Sequence, residues 1–339
     1  MLASLVALIG AATADPPARP DNFHLRDGQF AFECDAMNTI HRRAFFRQSV
    51  GAALGLAAAQ PAAAIEPVPH KGPPRLRVSL AAYSLRDALT AKDETKRITL
   101  FDFLDFCAAH NCDAAEMTSY YFPKEVTDGF LHQIKRHAFL RGVAFSGTSV
   151  GNSFARPEGP DLDRDIALTK AWVDHAVVLG APYVRVFAGD PKGMDPAAAQ
   201  RQVIRALEEC GAYAGARGIF LGLENHGGVV AHVTGVLEIV RAVKCPWFGL
   251  NLDIGNFDGT EDPYAQMAQL APFAINVHFK VELPRPGGGH QKTDPARVVK
   301  VLHEAGYQGY AALEYEGSGD PWKDVPDWLG QMRAAFAVA

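Results

Sequence analysis

The sequence predicts an α/β protein of the (β/α)8 TIM-barrel class. Short β-branched or apolar runs alternate with longer amphipathic segments from Arg75 onward, the pattern of a parallel sheet built from βα units. Eight such runs can be counted, which favours a closed barrel over an open sheet, and no GxGxxG loop points to a dinucleotide fold. Setting aside a 64-residue leader leaves 275 residues, close to the roughly 250 typical of one such barrel.

The leader is the first element. Arg42-Arg43-Ala44-Phe45-Phe46 precedes an apolar segment from Val50 to Ala59, then the small-residue run Ala62-Ala63-Ala64. Residues 37–64 hold three arginines and no acid, so they resemble a twin-arginine export signal starting at Met37, with cleavage after Ala64. The apolar core is shorter than the ~20 residues a bilayer span needs, so removal is expected rather than anchoring. Residues 65–74, with four prolines and a glycine, read as a linker, and residues 75–339 as the catalytic domain. The mature protein is expected to be exported to the periplasm or beyond.

The strand candidates are Arg77–Ala82, Ala114–Thr118, Ala144–Thr148, Tyr183–Ala188, Phe220–Glu224, Phe248–Asp253, Ile275–Phe279 and Ala311–Tyr315. Helices are expected between them, as over Asp161–Leu179 and Pro196–Ala216, where apolar residues recur near a 3.6 period. Gly180, Gly218 and Gly306 each precede a strand, where glycine is expected to end a helix.

With 33 basic and 38 acidic residues the net charge is −5, which gives no general attraction for a phosphate backbone and disfavours nucleic acid as a partner. Cys34, Cys107, Cys112, Cys210 and Cys245 lack the paired spacing of a zinc ribbon or CxxC motif and read as ordinary buried thiols.

In a barrel of this kind the chemistry lies at the C-terminal strand ends. Four predicted strands end in Glu224-Asn225-His226-Gly227-Gly228, Asp253-Ile254-Gly255-Asn256, His278-Phe279-Lys280 and Glu314-Tyr315-Glu316. Glu224, Asp253, His278 and Glu314 follow one another at intervals of 29, 25 and 36 residues, each near one βα unit with its loops, so all four converge on one mouth. Any one of them alone is more often a capping or ion-pairing residue. Together, three carboxylates and an imidazole suit a single divalent ion such as Mn²⁺, Co²⁺ or Mg²⁺, which would compensate charges that are costly to bury.

From Arg75 to Phe336 the chain resembles the xylose isomerase-like TIM-barrel superfamily, in particular its sugar phosphate isomerase/epimerase branch. The motifs that carry the likeness are Leu-Glu224-Asn-His-Gly-Gly, Asn-Leu-Asp253-Ile-Gly-Asn, Asn-Val-His278-Phe-Lys280 and Leu-Glu314-Tyr. The resemblance implies that Glu224, Asp253, His278 and Glu314 bind one metal. It also implies that Glu224 and Glu314 are the acid/base pair that removes and returns a proton through an enediolate. The sequence departs from ketose 3-epimerases at Asn256, where they carry histidine, and at Val281, where an acid follows their lysine.

Around this core, Glu116, His226, Lys280 and Arg285 are substrate-binding candidates. Glu116, ending the second strand, either binds substrate hydroxyls or pairs with Arg185, and Arg185 needs a partner such as Glu116 or Glu224. Lys280 is placed to steady an oxyanion. Leu283 to His290 reads as a long glycine-rich loop able to act as a lid, with Arg285 placed to hold substrate oxygens. Tyr120, Tyr121, Phe122 and Trp322 could cover a sugar face or simply pack loops.

The leading expectation is an exported, metal-dependent sugar isomerase or epimerase with a small carbohydrate as substrate. The alternatives are a lyase or dehydratase for an oxidised sugar, keto-glycoside or cyclitol, and a non-catalytic periplasmic sugar-binding barrel. A DNA-repair endonuclease of the same superfamily is disfavoured, since it would need more histidines and a basic groove. No lasting membrane association is expected after leader removal, and a homo-oligomer stays open.

Overall fold

The computed structural model describes residues 66–337 apart from residue 69, so the expected leader, its cleavage point and Cys34 lie outside the described residues. Eight parallel strands close into a barrel: β1 (Leu76–Ala81), β2 (Ala114–Thr118), β3 (Ala144–Ser149), β4 (Tyr183–Phe187), β5 (Phe220–Glu224), β6 (Phe248–Asp253), β7 (Ala274–Phe279) and β10 (Gly309–Leu313). Closure comes from β10, which pairs with β7 on one side and β1 on the other. Helices α1 (Leu100–Ala109), α2 (Asp128–Arg141), α3 (Pro160–Leu179), α4 (Pro196–Gly215), α5 (Val233–Ala242), α6 (Pro263–Leu270), α7 (Pro295–Glu304) and α8 (Pro321–Ala337) form the outer ring. Among the described residues no helix is long and apolar enough to cross a membrane.

Alternation along each strand sorts the side chains. Leu221 and Leu223 of β5, Leu250 and Leu252 of β6, and Val277 and Phe279 of β7 join the apolar core between sheet and helices. The intervening positions are small or polar and turn into the barrel. There Tyr183 fills the lumen against Gly147, where an added Cβ would lie 2.0 Å from the tyrosine ring, and Ile275 does the same against Gly249 at 2.5 Å. The next inward positions toward the C-terminal ends carry Arg185, Glu224, Asn251 and Asn276, and the ones after them on β6 and β7 carry Asp253 and His278.

Helix termini follow local chemistry. Gly180, Gly218 and Gly306 take positive φ, as expected, and Gly142 does the same after α2. After α1 the residue is Asn111, whose φ of 54° marks a cap that the sequence reading did not identify. Thr99 opens α1 with a reciprocal capping box to Asp102.

Two expectations are revised. The last strand ends at Leu313, so Glu314 stands one residue beyond it, still tied to β7 by its N–H donating to the Phe279 carbonyl at 2.9 Å. The segment expected to be a lid loop folds instead as an antiparallel hairpin, β8 (Glu282–Pro284) with β9 (His290–Lys292). Gly287, Gly288 and Gly289 all have positive φ, which lets the chain reverse there, and Thr293 fastens the hairpin base through Oγ1 to the Lys280 carbonyl at 2.7 Å.

Candidate metal centre and catalytic cleft

Register brings the acids together. Asp253 of β6 lies beside His278 of β7, and Glu224 of β5 lies beside Asn251, one inward position before Asp253, so the three inward side chains come from neighbouring strand ends. Ligand atoms of Glu224, Asp253 and His278 lie within 4.8 Å of one another, and all three residues are buried. Glu314 joins them from the loop after β10, with Oε2 3.4 Å from His278 Nδ1.

Each ligand is aimed by a second residue. Asp253 receives the Gly255 N–H on Oδ1 at 2.8 Å, while Asn225 clamps the Asp253 backbone in both directions at 2.9 Å. Glu224 accepts from Asn251 at 2.9 Å and from Asn256 at 3.3 Å, so the residue that replaces the epimerases' histidine supports a carboxylate here. Arg185 Nε lies 3.1 Å from Glu224 Oε2, and its guanidinium rests on the Phe187 ring at 3.8 Å. Of the two partners the sequence allowed for Arg185, the structure selects Glu224.

Glu116 is almost fully buried at 1% exposure and does not line the cleft. Substrate hydroxyls and Arg185 were its expected partners. It instead accepts from Tyr183 Oη, from Asn276 Nδ2 at 3.2 Å and from His278 Nε2 at 2.8 Å. With Nε2 donating its proton to Glu116, a divalent cation that displaced the Nδ1 proton would find that nitrogen facing the Glu224, Asp253 and Glu314 oxygens, the carboxylate–histidine arrangement that orients a metal ligand. Replacing Glu116 with Gln should therefore weaken divalent-metal affinity about 10–100-fold with little change in fold, as measured by competition with a fluorescent chelator.

The donor set fits a divalent ion. Asp253 Oδ2 and His278 Nδ1 are buried without a hydrogen-bond partner, both inside this cluster. Four buried carboxylates, Glu116, Glu224, Asp253 and Glu314, face two permanent cations, Arg185 and Lys280. Burial pushes the Asp253 carboxyl above its ordinary value despite the nearby Lys280 and His278. Burial alone would lower the His278 imidazole, but Glu116 and Glu314 reverse that and hold it well above the usual range. Glu224 and Glu314 are also disfavoured as anions by burial, yet Arg185 for the first, and His278 with Lys280 for the second, keep both below the ordinary carboxylate value. These shifts describe a cluster short of positive charge, which a divalent cation would supply.

Lys280 Nζ contacts Glu314 Oε2 at 2.5 Å, Asp253 Oδ2 at 3.3 Å, and Glu316. Glu316, from the loop after β10, is thus a further acid at Lys280. Above the cluster opens a cleft of about 120 Å³, whose walls include Tyr83, Tyr120, Phe187, His226 and Asn256. His226 is exposed and packs its ring on Phe187 at 4.9 Å. Arg285 lies in the hairpin turn, with Nε 3.4 Å from the Gly288 carbonyl, outside the cleft lining, and Trp322 meets Phe106 of α1 edge to face. Tyr83, Phe187, Asn225 and Glu316 were missed from sequence, although Asn225 stands inside the Glu224 motif. A wider groove of about 590 Å³ along α4 has no buried acid among its walls, so the chemistry belongs to the smaller cleft.

Three solved structures illustrate the likeness. D-psicose 3-epimerase from Clostridium cellulolyticum, solved with D-tagatose, superposes with a TM-score of 0.60 at 14% identity, covering 77% of this chain and 97% of that one. A xylose isomerase-like TIM barrel protein from Mycobacterium smegmatis, in complex with magnesium, gives 0.61 at 17% identity, covering 77% and 96%. The probable 3-DHS dehydratase involved in petrobactin synthesis in Bacillus anthracis gives 0.57 at 16% identity, covering 76% and 98%. At such identities the likeness establishes the fold alone. No curated protein matches the chain in sequence. Residues 104–332, taking in every barrel strand after the first, match the family described as xylose isomerase-like TIM barrel; the chain belongs to that family.

Proposed function

We propose that the protein is a divalent-metal-dependent sugar isomerase or epimerase that moves a proton through an enediolate. The observation that carries this reading is the pair of unpartnered buried ligand atoms, Asp253 Oδ2 and His278 Nδ1, set among Glu224 and Glu314 beneath an open cleft. Glu224, Asp253 and His278 would hold the ion, with Glu314 as the fourth ligand, and Mn²⁺, Co²⁺ or Mg²⁺ suits this oxygen-rich set. When bound, the ion would acidify the C–H beside a chelated carbonyl.

The rest falls to the chain's own side chains. Glu224 and Glu314 are carboxylates held ionised by their cationic neighbours, as a general base requires. One takes the proton; the other takes up a proton from solvent and delivers it to the opposite face, and the first then loses its own to solvent, so each turnover begins again with two carboxylates. Lys280, between Glu314 and Glu316, is placed to hold a developing oxyanion. His226, Tyr83 and Tyr120 form the wall against which a small carbohydrate would lie.

Elimination is the second reading, favoured by the likeness to the probable dehydratase from Bacillus anthracis, because the same enediolate can expel a β-substituent. The deciding experiment incubates the metal-analysed protein with ketoses and keto-glycosides in D₂O. Roughly one divalent ion per chain and metal-dependent C–H to C–D exchange are expected. A new epimer supports the first reading and an alkene the second, while sugar binding without exchange would reduce the protein to a binding barrel.

We also propose that residues 37–64 are a twin-arginine export signal starting at Met37, on the Arg42-Arg43-Ala44-Phe45-Phe46 motif and the acid-free segment that follows. N-terminal sequencing of the exported protein should begin at Ile65. Retention of the leader, or export unaffected by replacing both arginines with lysine, would refute this.

A further inference from the structure

We propose that Cys107 and Cys112 close an intrachain disulfide when the chain folds in the presence of a disulfide oxidant, stapling the end of α1 to the start of β2. The argument begins with the helix cap. The Cys112 N–H donates to the Cys107 carbonyl at 2.9 Å and the Asn111 N–H to the Ala108 carbonyl at 3.0 Å, with Asn111 in the left-handed region at φ 54°. This is the Schellman pattern of one six-to-one and one five-to-two bond, and it characteristically brings the side chains of its two outer residues together. In most proteins those are apolar side chains in contact. Here they are two cysteines, both buried and both free thiols in this structure, with Cys112 near enough to raise the Cys107 thiol.

The turn is held from both sides. Cys107 is wholly buried in the core behind α1, and Cys112 is 5% exposed. The next residue, Asp113, receives the Val78 N–H on its carboxylate at 2.8 Å and donates its own N–H to the Val78 carbonyl at 2.9 Å, which pins the chain to β1. Among the described residues the other two cysteines, Cys210 and Cys245, are buried elsewhere, on α4 and just before β6, and Cys112 is the one held against Cys107.

The chemistry is two thiol–disulfide exchanges. The Cys107 thiolate attacks glutathione disulfide, forming a mixed disulfide and expelling one glutathione thiolate. The Cys112 thiolate then attacks the protein-bound sulfur of that mixed disulfide, forming the Cys107–Cys112 bond and expelling the second. Two protein thiols are oxidised, one glutathione disulfide is reduced, and the two thiol protons pass to the departing thiolates. Burial, reinforced by Cys112, pushes the Cys107 thiol well above its ordinary value, so the closed native turn reacts slowly and the bond forms while the turn is still open.

The test refolds the full chain from urea into glutathione buffers of graded poise, blocks free thiols with N-ethylmaleimide, and maps peptides by mass. At the oxidising poise of a secretory compartment, the peptide holding both cysteines should be unblocked and lighter by two hydrogen atoms, with Cys210 and Cys245 blocked. The oxidised chain should melt about 4–9 °C higher than the reduced one, a difference abolished by Cys112→Ser. Activity should be the same in both forms, because the staple lies at the barrel end opposite the cleft. Should the chain not refold, native protein held with glutathione disulfide in urea below the unfolding transition gives the same mass readout. Blocking of both cysteines at every poise, or either one bridged to glutathione or to another cysteine, would overturn the proposal.

Discussion

Substituting Glu314 with Gln should cut metal-dependent C–H exchange about 10²–10⁴-fold while leaving the barrel folded. The change preserves shape and removes only the charge that lies 3.4 Å from His278 Nδ1 and 2.5 Å from Lys280 Nζ. Lys280 keeps Asp253 and Glu316 as partners, so no buried cation is stranded. Glu224, Asp253 and His278 still offer three ligand atoms within 4.8 Å of one another, so the variant should retain a metal, though less tightly. Exchange monitored by NMR, with the metal content of each sample measured, separates lost base from lost metal. A metal-loaded variant that exchanges within tenfold of the parent would remove Glu314 from the acid/base pair.

Arg185→Ala should destabilise the chelator-treated protein by about 3–5 kcal/mol at pH 7, because it strands the buried Glu224 carboxylate. Arg185 and Glu224 are each 3% exposed, and the next cation near Glu224 is the His278 imidazole at 3.3 Å. The pH dependence has a definite sign. In the parent, burial raises the Glu224 carboxyl but Arg185 and His278 lower it below its ordinary value, so the stabilisation is present at neutral pH and is lost as pH falls through the depressed value. Without Arg185 that stabilisation is absent, so the gap between parent and variant should narrow once the pH drops below about 4. Urea melts at pH 7 and pH 3 measure it. The double variant Arg185→Met/Glu224→Gln should recover much of the loss, and a single variant as stable as the parent at pH 7 would show that the pair does not support the barrel.

Much of this site was legible one residue at a time. Inward and outward positions alternate along a strand, so a charged residue closing an apolar run already declares its direction, and Glu224, Asp253 and His278 could be named from that alone. Glu314 was named in the same way, although its strand stops one residue short of it. Spacing near one βα unit then put all four at the same end of a barrel. Asn225 and Asn256 sit in the same short motifs but carry no charge whose burial demands an explanation, and they drew no role from the pattern.

Partnership across the barrel was another matter. Glu116 and His278 are 162 positions apart and meet only because β10 joins β1 to β7 and closes the sheet. Lys280 finds its second acid in Glu316, 36 positions away, and Arg185 chooses Glu224 over Glu116. The register shifts between Ala115 and Glu116 and between Leu250 and Asn251 change which residues stand level, and no local rule announces them. Side-chain direction is a property of neighbouring backbone atoms and is therefore written locally in the chain. Which charges meet depends on closure, register and the depth of each side chain in the lumen, and those arise only when all eight strands are in place.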